Sequence, residues 1–193
     1  MSKKSFIVVF LLFTTISFCQ NPFKYKGFSG GMMIHSGYLQ QSGENGMPFG
    51  LGGCGKVHFG KYLRIGGEGY VSDLTYGNHN SISSVNWGGL LIDLKADIKR
   101  VTPFTGVLIG GGSFQNIILS QGIKNDFGVI ENAGFRKYSF MAFCPFLGME
   151  YALNDKIRLT LKADYLMNLN NEQDFPNGLR VFIGCMFYRL KTE

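Results

Sequence analysis

Between Ile157 and Met167 the sequence IRLTLKADYLM alternates with a period of two. Ile157, Leu159, Leu161, Ala163, Tyr165 and Met167 share one parity, and Arg158, Thr160, Lys162, Asp164 and Leu166 share the other. Such a period belongs to a β-strand, whose successive side chains point to opposite faces. The charged face meets water in a soluble sheet, but it faces a closed lumen in a barrel set in lipid. Comparable segments recur near residues 27–38, 49–59, 62–74, 85–98, 103–115, 138–152, 157–167 and 178–189, and no helical period competes with them. No linker divides them. An all-β, single-domain chain of eight antiparallel strands is expected.

The connections between these segments differ by end. Four are long, at 39–48, 75–84, 116–137 and 168–177, and they alternate with short ones at Gly60–Lys61, Lys99–Thr102 and Asn154–Lys156. An up-and-down meander puts all the long connections at one end and all the short ones at the other, as transmembrane barrels do.

Sorting charge by parity decides between the two readings. One face of the strands carries Lys56, Arg64, Glu68, Asp93, Lys95, Asp97, Glu150, Arg158, Lys162, Asp164 and Arg180; the opposite parity is free of charge in mid-strand, Asp73 and Arg189 lying at strand ends. The charge-bearing face is otherwise sparse in polar groups: Phe140, Ala142, Cys144, Phe146 and Gly148 accompany Glu150. Charged residues make up only 17% of the chain, against roughly 25% in an average soluble protein. Both faces are therefore shielded from water. Six cations and five anions then form a nearly neutral network inside a narrow lumen, with lipid outside. An eight-stranded antiparallel up-and-down transmembrane β-barrel is expected. A soluble barrel with an apolar ligand inside would require the reverse polarity.

The N-terminus has the form of a secretory signal peptide, with Lys3 and Lys4 ahead of the short apolar run Phe6–Phe13. Residues 1–19 are read as the signal and 20–193 as the barrel domain. Without those two lysines the net charge of +6 falls to +4, which makes no case for nucleic acid. Cys54, Cys144 and Cys185 show no CxxC spacing and are expected as three isolated buried thiols.

The stretch GMEYALNDKIRLTLKADYLM (Gly148–Met167) and the C-terminal GLRVFIGCMFYRL (Gly178–Leu190) resemble the small OmpA/OmpX-like outer-membrane β-barrel proteins. The resemblance implies the outer membrane as location, with outer-membrane lipid and the barrel assembly machinery as partners. That family's last strand usually ends at a terminal aromatic; here the chain runs on past Phe187 through Arg189 and LKTE.

No residue set for catalysis, cofactor binding or metal ligation emerges. His35, His58 and Cys54 share the inward parity, and the hairpin suggests His35 opposite Cys54, but a zinc site needs three or four ligands. Ser29, Ser36, Ser72 and Ser139 cannot be joined to a histidine and an acid by sequence alone. Gly110–Gly112 lacks the context of a phosphate loop. Trp87, Tyr38, Tyr138 and Phe187 are candidates for an aromatic girdle at the membrane interfaces. Eight strands leave a lumen that side chains fill, which argues against a general porin. The expected role is structural or one of surface interaction. The long 116–137 connection is the expected place for a surface ligand, unless it merely extends its two strands above the membrane. The alternatives are a membrane-embedded lipid-modifying enzyme and the soluble apolar-ligand barrel.

Overall fold

The computed structural model describes residues 24–41, 44–76, 81–124, 127–169 and 177–190. They form β1 (Tyr25–Gln41), β2 (Glu44–Gly46), β3 (Phe49–Phe59), β4 (Leu63–Tyr76), β5 (Ser81–Lys95), β6 (Val101–Lys124), β7 (Phe127–Ala152), β8 (Ile157–Asn168) and β9 (Asn177–Leu190). Each long strand pairs antiparallel with the next, and β1 pairs with β9 from Gly27↔Leu190 to Gln40↔Asn177. The sheet therefore closes into an eight-stranded barrel with no free edge at its wall. The three-residue β2 only extends the end of β1. Residues 1–19, read as a signal, lie outside the described residues.

The three short connections and both described termini lie at one end, here called the turn end. Each turn has a local cause. Gly60 (φ 55°) and Lys99 (φ 56°) adopt the left-handed backbone that tight reversals require. Asn154 Oδ1 accepts from the amides of Lys156 and Ile157, both at 2.8 Å, which folds the chain back into β8. Gly27 (φ 140°) marks the register shift that opens β1, where a Cβ would lie 2.4 Å from the Arg189 carbonyl oxygen.

At the opposite, loop end the 116–137 connection extends its two strands, one of the two readings the sequence leaves open: residues 116–124 and 127–137 are strand. β6 continues to Lys124 and β7 resumes at Phe127, paired throughout with one register shift between Ser120 and Gln121. The wall stops earlier, at Ile82↔Ile117 on one side and Ala142↔Asn168 on the other. A two-stranded ribbon thus projects beyond the barrel, satisfying its backbone groups by pairing as an open loop could not. The 39–48 and 75–84 connections shorten for the same reason, with strand continuing to Gln41 and Tyr76.

Side-chain direction follows the pleat. Leu159, Leu161, Tyr165 and Met167 are exposed on the outer wall, while Thr160, Lys162, Asp164 and Leu166 are buried in the lumen. β6, whose sequence favours neither face, is settled by Thr102, Phe104, Leu108 and Phe114, which all point inward. Gly112 gives the Phe140 ring its place, since a Cβ there would lie 2.6 Å from Phe140 Cζ. Tyr25, Tyr62 and Tyr151 ring the outer wall near the turn end, and Tyr38 and Phe49 near the loop end.

Four sequence expectations are corrected. Trp87 is only 4% exposed and lies inside the lumen, so it is no girdle residue; its parity outweighs its place near the strand end. Tyr138 likewise packs inward, on Phe114. Cys185 is exposed on the outer wall, while Cys54 and Cys144 are buried. His35 sits opposite Gly50, and Cys54 opposite Gly31, because the hairpin register is set four residues away from the one the sequence suggested.

Candidate functional site: the charged lumen

The inward charges assemble into two chains of alternating sign. The longer lies towards the turn end. Lys56 and Arg64 both hold Asp93, at 2.9 and 2.5 Å. Arg64 Nη1 also reaches Glu150 Oε1 at 2.7 Å, and Arg158 Nη1 approaches Glu150 Oε2 at 3.9 Å and Asp97 Oδ1 at 3.5 Å. Lys95 closes the chain on Asp97 Oδ2 at 2.6 Å. Tyr188 ties the middle together, donating its hydroxyl hydrogen to Glu150 while accepting from Arg64 Nη1 at 2.9 Å.

The shorter chain lies higher. Lys162 pairs with Glu68 and stands 3.6 Å from Asp164, which Arg180 grips through Nε and Nη2, each at 2.8 Å. Aromatic rings supply much of the remaining surroundings. Arg180 Cζ lies 3.9 Å from the Trp87 ring centroid, and Lys162 Nζ 4.2 Å from that of Phe182. A cation over a ring face recovers part of the hydration lost on burial. Lys56 and Arg64 flank Phe104 in the same way.

Apart from Asp97 and Arg158, which stand at the turn-end mouth with side chains 36% and 16% exposed, the network is enclosed. Burial pushes the Asp97 carboxyl upward, but hydrogen bonds from Lys95 and Thr102 and the charge of Arg158 outweigh it and hold Asp97 below the usual carboxylate range.

Above the shorter chain the lumen changes character. His35 meets Tyr70, Trp87 and Phe182 at ring separations of 5.5, 5.3 and 4.8 Å. Neither of its nitrogens finds a hydrogen-bond partner in the protein, nor do Trp87 Nε1, Ser72 Oγ or Ser83 Oγ. Its ring occupies the space over Gly50, where a Cβ would fall 2.3 Å from His35 Cε1.

The geometry adds one contact that spacing could not supply. Ser29 Oγ lies 2.8 Å from His58 Nε2, both residues buried. This places a hydroxyl beside a base, but His58 Nδ1 meets no acid, so the triad arrangement is incomplete. Ser36 donates to the Pro48 carbonyl, and Ser139 is exposed outward. Among the described residues no three metal-ligating side chains converge. A depression of about 640 Å³ borders the outer wall over Thr105, Val107, Pro145, Ala163 and Tyr165. There the β7–β8 ladder skips from Phe143↔Met167 to Phe146↔Asp164, in keeping with the missing N–H of Pro145.

Tyr188 and Tyr70 are network members that charge sorting passes over. Their signal was present, since each shares the inward parity of a charged neighbour on its strand, Arg180 and Glu68 respectively.

No protein-family model and no curated protein matches the sequence. Solved structures do resemble the fold. Neisserial surface protein A superposes with a TM-score of 0.61 at 11% identity, over 83% of this chain and 96% of that one. Ail, the attachment invasion locus protein of Yersinia pestis, gives 0.57 at 9% identity over 84% and 99%. The outer membrane protein OprG of Pseudomonas aeruginosa gives 0.53 at 11% over 88% and 99%. At such identities the likeness is one of fold: the chain has the closed eight-stranded fold of small outer-membrane barrels.

Proposed function

We propose that the protein is an outer-membrane barrel, exported by residues 1–19, that uses a filled lumen as a rigid post and its loop end as a contact surface. Its environment is outer-membrane lipid, and its insertion falls to the barrel assembly machinery. Support for the lipid setting comes from the polarity of the wall, where Leu161 and Ile183 are exposed while Lys162 and Arg180 are enclosed. In water that arrangement would expose an apolar belt far larger than soluble proteins carry.

The observation that carries the contact role is the β6–β7 ribbon. Pairing runs on to Lys124↔Phe127 after the flanking strands have stopped, which lifts residues 118–124 and 127–134 clear of the wall. Its sequence mixes Ile118, Leu119, Phe127, Val129 and Ile130 with charges. Rigid scaffolds with projecting connections commonly meet partners there. One related fold, Ail, has been crystallised with the heparin analogue sucrose octasulfate. The loop-end segments here carry Glu44, Asp73, Asp126, Glu131, Glu172 and Asp174 against Lys124, Arg136 and Lys137. That balance favours a basic or apolar partner over a sulfated one.

Membrane fractionation with heat-modifiable gel mobility tests placement and fold together. Recovery in the outer membrane, with unheated protein migrating as a compact form, is expected; a soluble protein running at its unfolded size contradicts the proposal. Replacing residues 118–133 by a two-residue turn is expected to leave heat-modifiability intact and to abolish surface binding of a basic peptide probe. Retention of that binding would remove the ribbon from the role.

A further inference from the structure

Pro145 stands in the middle of β7, where the ladder to β8 steps from Phe143↔Met167 to Phe146↔Asp164 without a change of register. Opposed residues of an antiparallel pair alternate between those that exchange two hydrogen bonds and those that exchange none. A missing N–H at residue 145 removes one such bond, and with it the pairs Cys144–Leu166 and Pro145–Tyr165 together, which is the gap observed. The reverse bond, from the Tyr165 amide to the Pro145 carbonyl, belongs to the surviving Phe146↔Asp164 pair and is kept. The Tyr165 carbonyl is therefore left without its ladder donor. Among the described residues no side chain replaces that donor, and the outward Thr105 hydroxyl is committed to the Phe146 carbonyl at 3.0 Å. In hydrocarbon a main-chain acceptor finds no water, so it must find a partner of another kind.

The depression of about 640 Å³ on the outer wall lies over this place. It begins at Leu94 and Thr105, which pair one residue from the turn-end limit of β5. It ends at Tyr165 and Leu179, which pair near the loop-end limits of β8 and β9. Pro145 and the small Ala163 lie between. The furrow thus slants across β5 to β9, four strand spacings or about 19 Å at about 4.8 Å each. Its length and apolar walls suit one long acyl chain, and its single open acceptor stands at the loop-end half.

We propose that this furrow holds an acyl chain of a lipid that carries a hydroxyl a few carbons from its head group. The hydroxyl donates to the Tyr165 carbonyl, three residues from the loop-end limit of β8, and the tail runs past Pro145 and Thr105 towards Leu94. An unsubstituted chain fills the same furrow but brings no donor. The inference rests on the lipid setting proposed above and is independent of the ribbon.

The test uses the full chain folded in micelles, with tyrosine carbonyls labelled with ¹³C and leucine amides with ¹⁵N. The sequence contains three Tyr–Leu peptides, at Tyr38, Tyr62 and Tyr165, so NMR reads the Tyr165 carbonyl beside two internal controls. β-Hydroxymyristate is expected to shift the Tyr165 resonance saturably and to leave the other two in place, and myristate to need at least a fivefold higher concentration. Pro145→Ala supplies the missing N–H; it is expected to shift the Tyr165 resonance without any acid and to abolish the preference. Ala163→Phe fills the furrow and is expected to weaken both acids at least fivefold. Both variants must first show heat-modifiable mobility. Equal response to the two acids, an equal shift at Tyr38 or Tyr62, a preference that Pro145→Ala leaves unchanged, or a dimer in micelles whose Tyr165 resonance neither acid moves would overturn the proposal. A protein soluble without detergent would overturn the lipid setting as well; a compact barrel that fails the comparison of acids overturns this inference alone.

Discussion

At the turn end of the lumen Arg64 stands between Asp93 and Glu150, and each carboxylate oxygen there has a partner. At the loop end His35 and Trp87 are just as deeply buried, yet they meet rings and their nitrogens meet no acceptor. The inner face of the same barrel is thus built by two different means. Near the turns, opposite charges hold one another across strands distant in sequence: Arg64 of β4 reaches β5, β7 and β9 through Asp93, Glu150 and Tyr188. Nearer the loops, rings stack against glycines and one another, which demands shape more than pairing. Breakage should therefore be costly at the first and mild at the second.

The largest effect expected is from Arg64→Leu. It removes the guanidinium between Asp93 and Glu150, leaving Lys56 on the first and Tyr188 on the second, and losing one partner of a buried ion pair costs about 3–5 kcal/mol. Urea or thermal unfolding followed by gel mobility reads this directly, and a loss below about 1 kcal/mol would show that the chain holds little of the fold. On the outer wall Leu161→Arg places a charge where the proposed setting puts acyl chains, with an expected cost of about 2–4 kcal/mol near the bilayer midplane. The same measurement in vesicles checks it, and no loss would mean the position is wet.

At the loop end the sign changes. His35→Phe removes two nitrogens without partners and keeps a ring over Gly50. Replacing an unsatisfied buried polar group by an apolar one is close to neutral or stabilising, so unfolding should move by less than about 1 kcal/mol either way. A loss comparable to that of Arg64→Leu would erase the contrast between the halves. The smallest effect is at Asp97, exposed at the mouth. Its carboxyl is held below the usual range in the folded barrel. Its contribution is therefore present above the unfolded-state pKa and is lost as pH falls through the lower folded-state value. Asp97→Asn should lower stability at neutral pH by no more than about 1 kcal/mol, and the two proteins should converge in strong acid; an unchanged gap there would mean the pairing does not carry the difference.

Much of this is legible in the sequence, and the reason is the pleat. A period of two assigns each side chain to a face, so the charged parity of β8 and β9 could be read residue by residue. What parity does not carry is height along the barrel or partner across the lumen. The place of Trp87 near a strand end suggests a girdle residue, although its parity puts it inside. The Ser29–His58 contact and the ties from Arg64 to Glu150 and Tyr188 depend on register and closure, which join positions up to 124 residues apart. The ribbon is one of two readings that the sequence leaves open. Its mixed apolar and charged residues show no clean alternation, and the backbone pairing decides for strand.

The inside-out polarity of the wall can be tested on the segment that first raised it. Single cysteines placed in turn at residues 157–167, in a chain with Cys54, Cys144 and Cys185 replaced, would carry nitroxide labels in lipid vesicles. Collisions with oxygen, which partitions into lipid, should be frequent at Leu159, Leu161 and Tyr165 and rare at Thr160, Lys162 and Asp164, giving a period of two. Shielded labels at Leu159 and Leu161, with those at Arg158 and Lys162 open to the lipid phase or to bulk water, would contradict it.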